Sequence, residues 1–158
     1  MKLLLFLALF LPLLGGCQQS AKNFLGRTGT IVLRQPTKIE AWRIHGGQGT
    51  PEMASPAREL NVDLARQLAA IMLDSKTYSF DSAKGCLFEP AVGFRIWRDK
   101  RSIDVILCFH CTELKVISPD PVSPKFPSRI EDFDNARPAM VKLVKQAFPD
   151  DREIQDLK

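Results

Sequence analysis

The residues of this chain best suited to chemistry are its cysteines. A cysteine can carry a lipid, form a disulfide, ligate a metal ion or act as a redox thiol. The chain has 158 residues and four cysteines. Cys17 follows an apolar N-terminal run, Cys86 lies near the middle, and Cys108 and Cys111 form a Cys-x-x-Cys spacing. Each of these chemistries needs different neighbours, so the sequence around each cysteine separates them.

The N-terminus has the pattern of a signal peptide. Met1-Lys2 supplies a positive charge, and the apolar run from Leu3 to Leu14 is broken only by Pro12. A transmembrane helix needs about 20 apolar residues, so this run is too short to span a bilayer and has the length of a signal h-region. We therefore expect residues 1–16 to be a signal peptide that is absent from the mature chain.

The residues that follow, Leu14-Gly15-Gly16-Cys17, resemble the lipobox of bacterial lipoprotein precursors. That resemblance implies cleavage before Cys17, a diacylglycerol thioether on its sulfur and an acyl group on the new amine. Two or three acyl chains together anchor a protein stably in a membrane. Gln18 stands where an aspartate would retain such a protein at the inner membrane, which implies the outer membrane in a Gram-negative host. The alternatives are an ordinary secretory signal with a chance cysteine, or a buried helix.

The other three cysteines leave several pairings open. An exported protein meets an oxidising compartment, where disulfides form. In an extended strand Cys108 and Cys111 would lie about 10 Å apart, too far for a disulfide, unless the chain bends between them. Cys86 could also pair with either one. Because three cysteines leave one over, we expect one structural disulfide plus a buried free thiol, with all three in one small region.

Metal binding and thiol redox chemistry are the alternatives for the same cysteines. Three thiolates with His110 or His45 would suit zinc, but a second Cys-x-x-Cys or paired histidine motif is missing from the sequence. A thioredoxin-like dithiol needs its first cysteine at a helix N-terminus, whereas Thr112 to Ser118 is typical of a strand. The sequence predicts no cofactor.

Other polar groups give weaker signals. No complete set of catalytic residues is present, although carboxylates such as Glu89 or Asp104 could serve an enzyme. Trp97 lies near a cluster of basic residues: Arg95, Arg98, Lys100 and Arg101. Such a cluster is typical of a solvated turn, and the alternative is a site that binds an anion or a partner. The formal net charge of +4 falls by one with the leader and is interspersed, so we expect no nucleic-acid partner.

The elements that position these residues follow from periodicity. We predict a tether over residues 17–29, short strands over 30–33 and 38–44, and a loop over 45–51 rich in glycine. Ser55-Pro56 indicates the start of a helix that runs to about residue 73, with one apolar stripe: Leu60, Leu64, Leu68, Ile71 and Met72. A second helix is expected to be capped by Asp134 and to end before Pro149, with its own stripe: Ala136, Met140, Leu143, Val144, Ala147 and Phe148.

Between the helices the apolar period changes to two. Strands over 92–97 and 103–109, joined by the polar turn 98–101, form a predicted hairpin with one buried face. Leu114 and Val116 indicate a third strand. Its apolar residues have even numbers, whereas those of the preceding strand have odd numbers, so the chain must turn or bulge between Phe109 and Thr112. A proline-rich surface loop is expected over 118–129.

This order of elements predicts a single α+β domain over residues 30–158, with 45% hydrophobic and 25% charged residues in the whole chain. We expect an antiparallel sheet with a central meander and two amphipathic helices packed on one face.

Two motifs resemble a family of short, uncharacterised bacterial lipoproteins: Lys84-Gly85-Cys86-Leu87-Phe88-Glu89-Pro90 and Cys108-Phe109-His110-Cys111. The resemblance supports a fold and a location and transfers no catalytic residue. The sequence thus favours a lipid-anchored envelope domain that attaches to the membrane through its lipid and binds or spaces another envelope protein without catalysis. The alternative is a cysteine-based metal-binding or thiol-redox protein.

Overall fold

The structure is a computed structural model that describes residues 20–45, 52–82, 84–117 and 129–158. The predicted leader, the lipobox and Cys17 lie outside the described residues. So do most of the glycine-rich loop and all but the last residue of the proline-rich loop.

Within the described residues, seven antiparallel strands form one sheet. In chain order they are β1 (Lys38–His45), β2 (Glu52–Met53), β3 (Arg58–Leu60), β4 (Val92–Arg98), β5 (Arg101–Cys108), β6 (Glu113–Ile117) and β7 (Arg129–Asp132). Their spatial order is β2-β1-β4-β5-β6-β7, and β3 also pairs with β1 beside β2. The central meander predicted from the alternation is therefore confirmed, and it is extended at both edges.

In the same ranges, four α-helices accompany the sheet: α1 (Ala21–Arg34), α2 (Val62–Leu73), α3 (Arg137–Ala147) and α4 (Arg152–Gln155). Side chains cap three of them, since Ser20, Asn61 and Asp151 each accept a hydrogen bond from a backbone N–H of the first turn. Within the described parts of the chain, no helix combines the length and the apolar character needed to cross a bilayer.

The helices cover one face of the sheet. Alternate strand residues such as Ile39, Phe94, Val105 and Leu114 are fully buried against apolar side chains of α1, α2 and α3. The opposite face, which we call the open face, carries a small separate cluster formed by Trp42, Ile44 and Ile106. The predicted α+β architecture with helices on one face is confirmed, although three long helices contribute instead of two.

The first helix corrects the sequence prediction. Residues 30–33, predicted as a strand, and residues 21–29, predicted as tether, belong to α1. Its buried positions recur with helical spacing: Ala21, Phe24, Leu25, Gly29, Val32 and Leu33. The helix is kinked at Gly26, whose φ of 67° is a positive value that glycine adopts more readily than other residues. Packing of this stripe outweighed the strand preference of the β-branched residues near its end.

Two helix starts also differ from prediction. α2 begins at Val62 after the Asn61 cap and ends at Leu73 as predicted, whereas the residues after Ser55-Pro56 form strand β3 on the edge of β1. Asp134 does not cap α3: it lies in a 3₁₀ turn, Asp134–Ala136, and α3 begins at Arg137 without a side-chain cap.

The parity change between the second and third central strands has a structural cause. Leu107 pairs with Leu114 and Val105 with Val116, so odd positions of β5 face even positions of β6. The reversal occurs in a turn over residues 109–112, where Thr112 has a φ of 57°. The bend predicted between Phe109 and Thr112 is therefore confirmed, and it places Cys111 in a turn instead of a strand.

Candidate functional site: a fastened strap and the adjoining cleft

The segment of residues 84–91, which we call the strap, lies over the open face without regular secondary structure. Phe88 at its centre packs against the cluster of Trp42, Ile44 and Ile106. At its end, the Ala91 N–H donates to the Leu107 carbonyl at 2.9 Å. The strap therefore covers the part of the sheet where β5 ends and β6 begins.

A disulfide fastens the strap. Cys86 and Cys111 are joined with their Cα atoms 5.8 Å apart, within the usual range for a disulfide. Cys86 belongs to the strap and Cys111 to the turn between β5 and β6. The prediction of one structural disulfide is confirmed, and among the open pairings the structure selects the one that links the strap to the sheet.

Cys108 is the free thiol, and it is buried. It is the last residue of β5, and its sulfur accepts a hydrogen bond from the Cys111 N–H at 3.3 Å. All three sulfurs therefore lie in one region, as expected. Because two of them are joined and the third has no exposed surface, they do not form an accessible dithiol or an open set of zinc ligands.

Lys84 fastens the beginning of the strap through its charge. Its ammonium donates to the Cys111 carbonyl at 2.8 Å and forms ion pairs with Asp134 at 2.7 Å and Asp132 at 3.6 Å. Partial burial lowers the pKa of Lys84, but the hydrogen bond to Asp134 and the neighbouring carboxylates outweigh this and raise it. Sequence reasoning missed this role, although Lys84 stands in the motif that contains Cys86.

Glu113 is the buried acid beneath the same end of the strap. It lies opposite Asp132 in the β6–β7 ladder, and both residues are buried. Burial raises the pKa of Glu113, and the negative charge of Asp132 raises it further. Glu113 therefore favours its protonated form more than an exposed glutamate does.

A cleft of about 540 Å³ adjoins the strap. Its polar lining consists of Arg43, His45, Glu89, His110, Arg137 and Glu153. His45 ends β1, Glu89 belongs to the strap, and His110 lies in the same turn as Cys111. The strap and the turn that the disulfide joins therefore also form part of the cleft wall, and the disulfide holds them in position.

Protein groups already bind the two arginines of the cleft. Arg43 is buried, forms ion pairs with Asp151 at 3.0 Å and Glu153 at 2.5 Å, and donates to the Ala91 carbonyl. Arg137 donates to the Phe109 carbonyl at 2.7 Å and to the Thr112 hydroxyl at 3.0 Å. The guanidinium groups therefore hold the C-terminal segment and the turn in place. Arg43 occupies a position of β1 that faces the helices, and a charged residue at such a position was the signal in the sequence that could have identified it.

The groups left for a ligand are two exposed imidazoles and an exposed carboxylate, those of His45, His110 and Glu89. No serine, cysteine or lysine belongs to the described lining of the cleft. Such a lining can exchange hydrogen bonds and protons with a polar ligand. His110 lines this cleft beside the disulfide, and in the described residues no three metal-binding side chains converge.

The remaining sequence candidates lie farther along the open face. Asp104 binds Arg95 through two hydrogen bonds of 2.6 and 2.7 Å, so its carboxylate has a structural partner. The hydrogen bonds to Asp104 raise the pKa of Arg95. The Arg95 guanidinium also lies over the rings of Trp42 and Trp97, and the Lys38 ammonium lies 5.0 Å from the Trp97 ring centroid. Trp97 is therefore enclosed between cations.

The basic hairpin tip divides into two kinds of residue. Arg98 donates to the Ile31 carbonyl at 3.2 Å and so contacts α1. Lys100 and Arg101 are exposed, as a solvated turn predicts. The tip lies at the opposite end of β4 from the strap, so these cations do not belong to the cleft.

Comparisons with known proteins identify no relative: no protein-family model matches the chain, and neither a curated protein nor a solved structure matches it significantly.

Proposed function

We propose that this chain is a lipid-anchored protein of the bacterial cell envelope, attached through Cys17, whose domain binds or spaces another envelope component without catalysis. In a Gram-negative host its location is the outer membrane, because Gln18 replaces the aspartate that retains such proteins at the inner membrane. The lipobox-like residues Leu14-Gly15-Gly16-Cys17 support the anchor.

The Cys86–Cys111 disulfide is the observation that carries this proposal. Disulfides persist in exported proteins and are rare in the reducing cytosol. This bond joins a loop to a turn, as a structural crosslink does, and leaves Cys108 buried. A structural disulfide and a lipobox both point to the same compartment, and they are independent features of the chain.

The shape and lining of the cleft support a binding role. Its volume of about 540 Å³ lies in the range of ligand pockets. Its arginines are occupied by internal partners, Glu153 is paired with Arg43, and its other exposed polar groups are His45, His110 and Glu89. We therefore assign the polar recognition of the envelope partner to this cleft.

The anchor is tested by replacing the Cys17 sulfur, the atom that carries the lipid. Cys17→Ser removes the acylated sulfur, and the matched control Gln18→Ser changes the neighbouring residue but keeps the lipobox. We expect the control to be acylated at Cys17 and to stay in the membrane fraction after a salt wash, and the Cys17→Ser chain to be unacylated and released or uncleaved. Mass spectrometry of the N-terminal peptide reads the modification. Salt-resistant membrane retention of a Cys17→Ser chain that has lost its leader would refute the anchor.

The binding role is tested at the cleft in intact cells. A photo-crosslinking residue replaces His110, which lines the cleft, and in the control it replaces Lys100 at the hairpin tip. We expect a discrete crosslinked species from position 110 and none from position 100. Equal crosslinking from both positions, or none from position 110, would contradict a partner at the cleft.

A further inference from the structure

The start of α1 leaves almost no free chain between the proposed lipid and the folded domain. Ala21, the first residue of α1, is buried, and its N–H donates to the Ser75 hydroxyl at 3.1 Å. Cys17 precedes Ser20 by three residues, which span at most about 10 Å when fully extended. A lipid on Cys17 would therefore hold the surface around the start of α1 against the bilayer.

We propose that this surface is a membrane-docking face that binds anionic phospholipid headgroups and fixes the orientation of the domain. The proposal rests on the lipid anchor at Cys17. It identifies a second membrane contact, which is made by the folded domain itself.

The docking face consists of Lys22, Lys76 and Arg129. Lys22 follows the first residue of α1, and Lys76 follows Ser75, which contacts that residue. Arg129 donates to the Asn23 carbonyl at 2.6 Å, so the start of α1 lies at the edge strand β7. Ile130, the next residue of β7, pairs with Lys115 and points to the open face, so it is not part of the docking face.

The charge of this face suits an anionic surface. Lys22, Lys76 and Arg129 are all exposed, and in the described residues neither lysine ammonium lies within ion-pairing distance of a carboxylate. The acidic neighbours are Asp74, whose carboxylate accepts the Lys76 N–H, and Glu131, which is half-buried. Exposed cations of this kind match the anionic headgroup region of a membrane.

Strand order then fixes which part of the domain points away from the membrane. The face lies at β7, and β2 and β3 form the opposite edge of the sheet. Five strand spacings of about 4.8 Å separate the two edges, so β2 would stand about 24 Å above β7. Docking at β7 therefore directs β2, with its exposed Met53, toward partners away from the bilayer.

Lysine footprinting of the lipidated mature protein tests the proposal. The protein is acetylated in detergent micelles, on phosphatidylcholine vesicles and on vesicles that also contain phosphatidylglycerol. We expect Lys22 and Lys76 to be protected on the anionic vesicles and Lys100 to react equally in all three. Protection that is as strong on neutral vesicles, or no protection at all, would overturn headgroup binding while leaving the anchor intact.

Charge reversal provides the matched comparison. Each cation near an anionic surface contributes about 1 kcal/mol, which is about fivefold in partition. In leader-free chains that carry Cys17→Ser, Lys22→Glu with Lys76→Glu should lower partition onto phosphatidylglycerol vesicles at least about 25-fold. Lys100→Glu with Arg101→Glu, an equal change of charge at the hairpin tip, should have little effect. Equal losses from both pairs would overturn the docking face.

The two proposals fail in different ways. A mature chain without acyl groups refutes the anchor and, with it, the imposed orientation. An acylated chain whose Lys22 and Lys76 stay reactive on anionic vesicles refutes only the docking face.

Discussion

Removing the Cys86–Cys111 disulfide should destabilise the domain by an amount that follows from its loop. The two cysteines are 25 residues apart, and a crosslink closing a loop of that size contributes about 3.5 kcal/mol through the entropy of the unfolded chain. Lys84 and Phe88 would still hold the strap on the folded sheet. We therefore expect Cys86→Ala with Cys111→Ala to fold, but with a lower free energy of unfolding.

Thermal unfolding followed by circular dichroism measures this change. For a domain of this size, 1 kcal/mol corresponds to about 2–4 °C, so the double variant should melt about 10 °C below the wild type. Cys108→Ala is the control, because it removes a buried sulfur and keeps the disulfide. Full reduction should lower the Tm of the wild type and of Cys108→Ala and leave that of the double variant unchanged.

Two results would refute this reasoning. A double variant that melts within about 2 °C of the wild type would show that the crosslink does not restrict the unfolded chain as the loop length requires. A non-reduced peptide map that joins Cys108 to Cys111 would show a different pairing. That pairing closes a much shorter loop and would contribute much less stability.

Two further predictions concern the open face of the sheet. Gly93→Ala should lower the free energy of unfolding by about 1–3 kcal/mol in urea denaturation, because the new Cβ would overlap the Trp42 indole. Gly85→Ala is the control: its Cβ would meet no atom within 4 Å, so its free energy of unfolding should be close to that of the wild type. Glu113→Gln should be more stable than the wild type near neutral pH. Because the pKa of Glu113 is raised in the folded state, the free energy of unfolding of the wild type falls as pH rises from 4.5, the ordinary pKa of glutamate, through the folded pKa. Below that range the difference between the two chains should vanish. Urea unfolding of both chains across this range checks the sign, and a variant that is less stable near neutral pH would contradict it.

The alternation of apolar residues was sufficient to predict the centre of the fold. Val92 pairs with Leu107, so residue 91 lies opposite Cys108, as the count from the predicted turn requires. The parity change before Leu114 likewise required the turn over 109–112. These predictions succeeded because a half-buried antiparallel strand must alternate, and because a slip by one residue would move every side chain to the wrong face.

Short segments were predicted less well, since their neighbours decide their conformation. Residues 30–33 are β-branched and apolar, yet they complete a helix whose buried stripe begins at Ala21. A window of four residues cannot show that helical period. Strands β3 and β7, of three and four residues, exist because β1 and β6 offer unpaired backbone groups at their edges.

The sequence by itself determined an α+β fold with a buried sheet face, a signal-like leader before a lipobox-like cysteine, and three further cysteines that allow only one disulfide among themselves. Only the tertiary structure decided that Cys86 pairs with Cys111 and that Cys108 stays buried. It also decided that Arg43 binds Asp151 and Glu153 beside a cleft. The physical reason is distance along the chain. Periodicity reports contacts within an element, whereas the path of the strap across the open face depends on packing and ion pairs between residues far apart in sequence.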